Sequence, residues 1–351
     1  MKKITLGILG GGQLGRMSAM AAARLGISCI ILTPENDSPA AQVASKTIIA
    51  DYDDETALKA FAAQCDFITY EFENIPVKIV QYIKKLKPVY PDDNLLEVAQ
   101  DRIAEKTYLN TINIPTTRWN APKTPQDIRN TLSEWGAKSA ILKTTRFGYD
   151  GKGQARISSD SDIDTTWSQF KGQELILEEI VNFDCEISVI IARDSAGKSE
   201  IYGPMVNEHK NHILHKTTMP CPLSQDIQDQ AKVAITKLAD SLNLIGVMTL
   251  ELFVTKDGQI LANEIAPRTH NSGHWTIDAC AVSQFENHVR SVCGLPIAAA
   301  MRHSDCEMLN LIGDDVDKID DYLKTPGTCV HLYGKHETRE GRKMGHVTIL
   351  K

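Results

Sequence analysis

Two glutamates lie on either side of a hairpin signal near the middle of the chain. Asp257-Gly258 separates two runs of branched apolar residues, and this dipeptide is typical of a two-residue β-turn. Such a turn places Glu251 directly opposite Glu264 on the neighbouring strand. Two facing carboxylates repel each other, and burial adds to the cost unless a cation lies between them. The pair therefore indicates a Mg²⁺ site, because Mg²⁺ takes hard oxygen ligands and often shares them with substrate phosphates.

The same turn also predicts the two faces of the hairpin. Phe253, Ile260 and Ala262 should share a face with the glutamates. The opposite face should carry the apolar residues Met248, Leu250, Leu252, Leu261 and Ile265. Two alternatives stay open: glutamates that reach solvent or basic partners at a sheet edge, and a different strand register.

A basic, glycine-rich loop follows a predicted strand over residues 139–143. The strand ends in Lys143, and the loop 146–154 contains Gly148, Gly151 and Gly153 among basic residues. This composition predicts a flexible hairpin loop that closes over phosphates. The spacing is not that of a Walker A loop. A plain surface turn is the alternative.

Carboxylates also follow two other predicted strands. Glu71 and Glu73 come at the end of a strand over 67–70, where ligands bind in open α/β sheets. Glu178, Glu179 and Glu186 stand at the ends of further strands and could hold ribose hydroxyls or an exocyclic amine. Solvent-facing strand ends are the alternative for this second group.

Two further polar segments contain basic or metal-binding residue types. His209, His212 and His215 recur at intervals of three, which allows a zinc hypothesis, but the lysines among them favour a segment close to phosphates. Arg342 and Lys343 lie in a basic turn near the C-terminus that could hold a phosphate or could simply be a solvated hairpin.

The elements that must position these residues begin with a strand–glycine–helix unit. An apolar run over 4–9 leads into Gly10-Gly11-Gly12-Gln13-Leu14-Gly15 and a helical pattern. The helix N-terminus in such a unit offers amides to an anion, and Glu35 stands near the position of a ribose-binding acid. A glycine turn that serves only strand–helix packing is the alternative. Strands and helices continue to alternate, with one helix predicted over 94–110 and a second α/β unit from about residue 115.

Composition limits the class of protein. The chain has 351 residues and a net charge of −7, which argues against nucleic-acid binding. The sequence contains no apolar run long enough for a membrane span, so no membrane partner is expected. Eight scattered cysteines without a CxxC pair are typical of reduced thiols in the cytoplasm.

These motifs together resemble the ATP-grasp superfamily, and more closely its 5-(carboxyamino)imidazole ribonucleotide synthase family. The resemblance rests on six segments in order along the chain: GILGGGQLGRM (7–17), YEFENIP (70–76), GYDGKGQ (148–154), GVMTLELFV (246–254), NEIAPRTHNSGHWT (263–276) and GRKMGHV (341–347). The third and fifth segments are the most specific.

The resemblance implies an α/β fold in three parts. These are a Rossmann-like N-terminal domain over 1–93, a two-lobed ATP-grasp domain over 94–296 and a small β-rich C-terminal domain over 297–351. The lid lobe would cover about 115–180, and the hairpin 246–266 would carry the metal site.

The resemblance also implies roles for individual residues. The catalytic residues would be Tyr149, Arg268 and His270, and the metal ligands Glu251 and Glu264. The ATP site would comprise Arg102, Lys143, Gly148, Tyr149, Asp150, Gly151, Lys152, Gly153, Gln154, Glu178, Glu179, Ile180, Val181, Glu186, His209, Asn263 and Glu264. The ribonucleotide substrate would contact Gln13, Leu14, Glu73, Asp150, Lys152, Lys335, Arg342 and Lys343.

The implied reaction carboxylates the amine of 5-aminoimidazole ribonucleotide in purine biosynthesis. ATP would convert bicarbonate to carboxyphosphate, with Mg²⁺ or Mn²⁺ as cofactor and a homodimer as the expected assembly. Three alternatives remain: a nicotinamide-dependent oxidoreductase built on the glycine motif and Glu35, a catalytically idle nucleotide-binding protein, and a sister ligase with another acceptor. The favoured interpretation requires no NAD.

Overall fold

A computed structural model describes residues 3–148, 151–158 and 163–351. The chain starts with a four-stranded parallel sheet in the order β3-β2-β1-β4. Its elements are β1 (Thr5–Leu9), α1 (Gln13–Arg24), β2 (Ser28–Thr33), β3 (Lys46–Ile49), α2 (Glu55–Ala63), β4 (Phe67–Tyr70), α3 (Val77–Lys84) and α4 (Asp93–Gln100). The apolar strands β1 and β2 are almost entirely buried, as expected for the centre of a parallel sheet.

The second part contains a small antiparallel sheet in the order β5-β8-β6-β7. Its elements are α5 (Arg102–Thr111), β5 (Trp119–Asn120), α6 (Pro125–Trp135), β6 (Ser139–Thr144), β7 (Gln154–Ser158), α7 (Ile163–Gln169) and β8 (Leu175–Glu179). The basic glycine loop connects β6 to β7, as the hairpin prediction required. We call this sheet together with α6 and α7 the lid lobe.

An eight-stranded sheet forms the rest of the molecule, in the order β13-β12-β9-β10-β11-β14-β16-β15. Its elements are β9 (Phe183–Arg193), β10 (Ser199–Lys210), β11 (Ile213–Met219), α8 (Gln225–Ser241), β12 (Gly246–Thr255), β13 (Ile260–Ala266), α9 (Thr276–Ala279), α10 (Gln284–Val292), β14 (Cys306–Ile312), α11 (Ile319–Lys324), β15 (Thr328–Leu332) and β16 (Lys343–Leu350). The C-terminal strands join this sheet through the antiparallel pair β11–β14.

The helix predicted over 94–110 is wrong in one respect, because the structure divides it into α4 and α5. Asp101 has an extended backbone and ends the first helix. Its carboxylate then accepts hydrogen bonds from the amides of Ile103 (3.0 Å) and Ala104 (3.2 Å), so it caps the second helix. The division lets α5 start beside the glycine loop, where Arg102 reaches the cleft.

The hairpin β12–β13 pairs Glu251 with Glu264, as predicted, but its turn was predicted wrongly. The amide of Thr255 donates to the carbonyl of Gln259, so the loop has three residues, with Gly258 in the left-handed region at φ 81°. This extra residue shifts the register by one until a β-bulge beside Glu251 restores it.

The bulge also changes the predicted faces of the hairpin. Ile260 and Ala262 are not on the face of the glutamates but pack in the core with Leu250 and Leu252. Leu261 was predicted on the face away from the glutamates, but it lies on the glutamate face, because it pairs with Phe253. Because of the bulge, β13 can place Ile260 and Ala262 in the core while Glu264 still lies opposite Glu251 in the cleft.

No helix within the described ranges is long and apolar enough to cross a membrane. All eight cysteines are free thiols, in agreement with the prediction from their spacing.

Candidate active site

A cleft of about 930 Å³ lies where the parallel sheet, the lid lobe and the eight-stranded sheet meet. It brings together most of the residues that the sequence singled out, from segments that are far apart in the chain. The predicted residues that line it are Gln13, Leu14, Glu73, Arg102, Lys143, Gly148, Gly151, Lys152, Gln154, Glu186, His209, Glu251, Asn263, Glu264, Arg268, His270 and Lys343.

Two predicted residues cannot be located in this way. Tyr149 and Asp150 lie outside the residues that the structure describes.

The facing glutamates of β12 and β13 create an excess of negative charge on one wall. Burial, and then the nearby Glu264, raise the pKa of Glu251 from 4.5 to about 7. A third carboxylate, that of Glu105 on α5, accepts a hydrogen bond from the Ile265 amide. Its burial and the charge of Glu264 raise the pKa of Glu105 to about 8.

Positive charge reaches this wall from Arg268, which interacts with both glutamates, and from Arg102, which pairs with Glu264. Nη1 of Arg102 lies 3.6 Å from Oε2 of Glu264, and its Nη2 donates to the carbonyl of Gly148 in the glycine loop at 3.3 Å. Burial and the charge of Glu264 raise the pKa of Glu251 even though His209 and Arg268 oppose the shift. The oxygen donors of Glu251 and Glu264 therefore suit a divalent cation such as Mg²⁺.

Glu178 lies behind the cleft, held by two lysines. Its carboxylate is 2.7 Å from Nζ of Lys143 and 3.5 Å from Nζ of Lys106. Burial opposes the ionisation of Glu178, but the charges of Lys106 and Lys143 outweigh it, and its pKa lies below the ordinary value. Lys106 itself is fully buried and also approaches the carbonyl of Asn263 at 3.4 Å. These contacts connect α5 and β8 to the bulge of the hairpin.

The segment after Glu178 lies outside the cleft lining. The Glu179 carboxylate pairs with Arg118, and Ile180 is exposed. Val181 is half-buried in the connection to β9. Of the two carboxylates at the end of β8, therefore, the structure turns one toward the lysines and the other toward Arg118.

The glycine loop packs on a neighbouring hairpin turn. Asn211 and His212 both have positive φ and form the two-residue turn between β10 and β11. A Cβ at Gly151, whose φ is 79°, would lie 2.9 Å from the His212 ring. A Cβ at Gly153, with φ 71°, would meet the Thr144 hydroxyl at 2.7 Å. Both positions therefore require glycine.

The three histidines of this region do not gather around one point. Nδ1 of His209 lies 2.7 Å from Oε2 of Glu186, and both residues line the cleft. His212 lies under the loop, and His215 contacts Lys210 at 2.8 Å. The arrangement does not support the zinc hypothesis for these residues.

Arg268 and His270 are fixed by neighbours on several sides. Nε of Arg268 is hydrogen-bonded to Glu73, and its Nη1 donates to the Thr269 carbonyl at 3.1 Å. Burial opposes ionisation of Glu73, but Arg268 outweighs it, so the pKa of Glu73 is lowered.

His270 lies beside the facing glutamates of β12 and β13. Its Nε2 lies 3.2 Å from Glu251, and its Nδ1 lies 2.8 Å from the Ser272 hydroxyl. Burial first, and then the charges of Arg268 and Lys343, lower the pKa of His270 well below its usual value. The imidazole is therefore neutral in the absence of ligands.

Two amides of the first glycine loop bind the protein's own Glu71, whereas the sequence had predicted that this helix N-terminus offers its amides to an anion. The carboxylate of Glu71 accepts hydrogen bonds from the amide of Gly12 and, at 2.7 Å, from that of Gly15. A Cβ at Gly10 would come within 2.4 Å of the Glu71 side chain. The protein's own carboxylate thus occupies the position of a dinucleotide phosphate. Glu35 is exposed and does not line the cleft.

Three cations from the C-terminal segment lie together beside the cleft. Nζ of Lys335 donates to the Lys343 carbonyl at 2.8 Å, and Nη1 of Arg342 donates to the Glu337 carbonyl at 2.9 Å. Burial, and then Arg342 and Lys343, lower the pKa of Lys335 to about 8. This shift marks a local excess of positive charge that suits an anion.

Several site residues were missed from the sequence. Glu105 and Lys106 looked like ordinary helix charges, and only their burial distinguishes them. Asn271 lines the cleft, and neither its amide nitrogen nor its amide oxygen, both buried, has a partner among the described residues. Its position between His270 and His274 was the available signal.

Comparisons with known proteins cover nearly the whole chain. Residues 1–100 match the ribonucleotide synthetase preATP-grasp domain, 107–285 the ATP-grasp domain, and 306–351 the phosphoribosylaminoimidazole carboxylase C-terminal domain. The N5-carboxyaminoimidazole ribonucleotide synthase of Brucella melitensis is 48% identical over 349 residues, which is 99% of this chain and 96% of that protein.

Solved structures agree with these matches. An ADP complex of N5-carboxyaminoimidazole ribonucleotide synthetase superposes with a TM-score of 0.95 at 38% identity, over 100% of this chain and 94% of that one. The Aspergillus clavatus enzyme in complex with ADP and 5-aminoimidazole ribonucleotide gives 0.92 at 28% identity, over 99% and 94%. The predicted fold class and family are therefore confirmed. This chain belongs to the N5-carboxyaminoimidazole ribonucleotide synthase family of ATP-grasp ligases, whose activity is an ATP-dependent carboxylation in purine biosynthesis.

Proposed function

We propose that the chain uses ATP and bicarbonate to carboxylate the amine of 5-aminoimidazole ribonucleotide. One observation carries this proposal: the cleft has a wall with too much negative charge and, beside it, a cluster with too much positive charge. The raised pKa of Glu251 marks the first, and the lowered pKa of Lys335 marks the second. A cation with nucleotide phosphates suits one region, and a substrate phosphate suits the other.

Glu251 and Glu264 would hold Mg²⁺ or Mn²⁺, with Asn263 beside them. When bound, such an ion would neutralise negative charge on the phosphate oxygens during phosphoryl transfer. The fit rests on the facing oxygens and on the repulsion that raises the pKa of Glu251.

The nucleotide would lie against the glycine loop. Arg102 lies 3.6 Å from Glu264, and both Arg102 and Lys143 line the cleft. We assign the phosphate contacts to them and to the loop from Gly148 to Gln154, including Tyr149, Asp150, Lys152 and Gly153. The adenine and ribose contacts we assign to the segment Glu178, Glu179, Ile180 and Val181, together with Glu186 and His209.

The chemistry requires an activated carboxyl group. A bicarbonate oxygen attacks the γ-phosphorus of ATP, the bond to ADP breaks, and carboxyphosphate forms. The substrate amine then attacks its carbon, and phosphate leaves with the bonding electrons. Arg268, fixed by Glu73, would stabilise the charge on the carboxyl oxygens. The amine proton would go to His270 or to the nearby carboxylate of Glu251, which lies 3.2 Å from His270 and has a pKa raised to about 7. Tyr149 would complete the pocket.

The ribonucleotide would extend from this pocket toward the C-terminal cations. Lys335, Arg342 and Lys343 suit its phosphate, and Gln13, Leu14, Glu73, Asp150 and Lys152 would contact the rest. The glycine loop would exclude water while carboxyphosphate exists, because that intermediate is hydrolysed readily.

The test is phosphate release from MgATP and bicarbonate with different acceptors. We expect 5-aminoimidazole ribonucleotide to stimulate release and to be carboxylated, whereas glycinamide ribonucleotide and biotin should have no effect. If either of the latter stimulates release and the former does not, the chain is a sister ligase. ATP binding without any release would indicate an idle nucleotide-binding protein.

Three further proposals concern the domain bounds, the oligomeric state and the cellular location of the protein. We propose domains over 1–93, 94–296 and 297–351, with the lid lobe at about 115–180 and the metal hairpin at 246–266. We also propose a homodimer located in the cytoplasm. The family membership supports the first two, and the free cysteines support the third.

A further inference from the structure

A cluster of metal-binding residue types lies behind the cleft, where β15 and β16 pack on α9. His331 and His346 are directly opposite each other on the two strands, and their rings stack with centroids 4.5 Å apart. The carboxylate of Asp278 on α9 lies 2.9 Å from Nε2 of His331. One ligand atom from each of these three residues lies within 4.8 Å of the other two.

His346 has an unused nitrogen in this cluster. The residue has no exposed surface, and its Nδ1 lies 2.9 Å from the hydroxyl of Tyr333. Its Nε2 is buried and has no hydrogen-bond partner among the described residues. Burial lowers the pKa of His346 well below the ordinary value, so the ring is neutral. A buried polar atom without a partner is costly, and a neutral imidazole nitrogen is a common metal ligand.

We propose that Asp278, His331 and His346 form a binding site for a divalent transition-metal ion of the zinc class. Two imidazoles and one carboxylate are ligands that Zn²⁺ accepts readily. Tetrahedral zinc bonds of about 2 Å place ligand atoms roughly 3.4 Å apart, so the widest separation in the cluster, which is at most 4.8 Å, must shrink by up to about 1.4 Å. Asp278 and His331 are partly exposed and can make this adjustment.

The groups around the cluster resemble those that hold metal-bound histidines in place. Metal-bound histidines usually form a hydrogen bond through their other ring nitrogen, which fixes the tautomer. Tyr333 provides this bond to His346, and its hydroxyl also lies 3.1 Å from Nδ1 of His274, which lines the cleft. The Cys329 thiol interacts with Asp278 but is not among the ligand atoms that lie within 4.8 Å of one another.

The site would join two parts of the chain. Asp278 follows shortly after the segment that contains Arg268 and His270, whereas the two histidines belong to the C-terminal strands. A bound ion would therefore hold β15 and β16 against the elements that position the cleft, which is a structural role separate from catalysis.

The experiment uses the full chain, stripped of metal with a chelator and then kept in excess Mg²⁺ to occupy the carboxylates of the cleft. Zn²⁺ is titrated by calorimetry, and Co²⁺ is titrated as a spectroscopic probe. We expect one tight equivalent and a rise in the unfolding midpoint with Zn²⁺. His331→Gln and Asp278→Asn should each lose that equivalent, and Tyr333→Phe should weaken it about 10- to 100-fold.

His303→Gln is the matched control, because His303 is an exposed histidine outside the cluster. It should bind Zn²⁺ like the unmodified chain. The proposal is overturned if the unmodified chain takes up no tight equivalent, or if His331→Gln and Asp278→Asn bind Zn²⁺ as tightly as the unmodified chain does. Metal content is the readout, so the result does not depend on the proposed substrate.

Discussion

Two groups of buried carboxylates a short distance apart differ in one respect, namely whether the protein supplies their cation. Glu178 has Lys106 and Lys143, Glu73 has Arg268, and both glutamates have lowered pKa values. Glu251 and Glu105 lie around Glu264 without enough positive charge, and their pKa values are raised to about 7 and about 8. The first group is neutralised by the protein's own cations, whereas the second is the group to which we assign a metal ion.

The difference distinguishes carboxylates that stabilise the fold from carboxylates that we assign to ligand binding. A balanced buried ion pair costs little once formed but is expensive to break, so Glu178 and its lysines fix the geometry of neighbouring elements. An unbalanced group stores repulsion that a divalent cation can relieve. Three predictions test this contrast.

The largest effect is expected at the unbalanced pair. Glu264→Gln removes one charge of the proposed metal site, and turnover should fall about 10³-fold, since a bound metal ion contributes several kcal/mol of stabilisation to the transition state. The thermal unfolding midpoint should stay unchanged or rise, because repulsion is removed. Steady-state phosphate release and calorimetry measure the two quantities. Glu134→Gln, on the exposed face of α6, is the control. Turnover near that of the unmodified chain would refute the assignment.

The balanced group should respond in the opposite way. Lys106→Met leaves buried Glu178 with Lys143 alone, and the free energy of unfolding in urea should fall by about 3 kcal/mol. Arg118→Met breaks the more exposed pair with Glu179 and should cost less than about 1 kcal/mol. Equal losses in the two variants would contradict the contrast between a buried group and a surface pair.

The pH dependence of the free energy of unfolding should be the smallest of the three effects and the most specific. Because folding raises the pKa values of Glu251 and Glu105 from 4.5 to about 7 and about 8, the folded chain binds more protons than the unfolded chain in this range. The free energy of unfolding contributed by these groups should therefore decrease as pH rises from about 4.5 to about 8 in the absence of metal. Urea unfolding at several pH values measures this slope.

Two conditions should reduce that slope. Mg²⁺ should stabilise the ionised glutamates, and Glu264→Gln should remove the charge that, after burial, contributes most to raising both pKa values. A slope that neither condition alters would mean that other groups titrate in this range.

The sequence predicted the family, the parallel sheet and most cleft residues, because each is encoded by contiguous motifs. Glu251 and Glu264 were paired correctly, although the three-residue loop and the bulge shift the register in opposite directions. Residues that depend on distant partners could not be predicted. Lys106 lies on a helix, and only its contacts with Glu178 and Asn263 distinguish it from a surface lysine. Glu71 closes the first glycine loop by the same kind of long-range contact.

The continuity of the eight-stranded sheet has a consequence for how closure can work. The carboxylates of β12 and β13 and the strand β16, which begins at Lys343, belong to one hydrogen-bonded sheet. The glycine loop belongs to a separate sheet. A movement of the lid lobe can therefore change access to the nucleotide while the spacing between the metal ligands and Lys343 stays constant. The fixed distance between the proposed metal ligands and Lys343 would then select substrates by length. The independent motion of the lid lobe would determine when water is excluded.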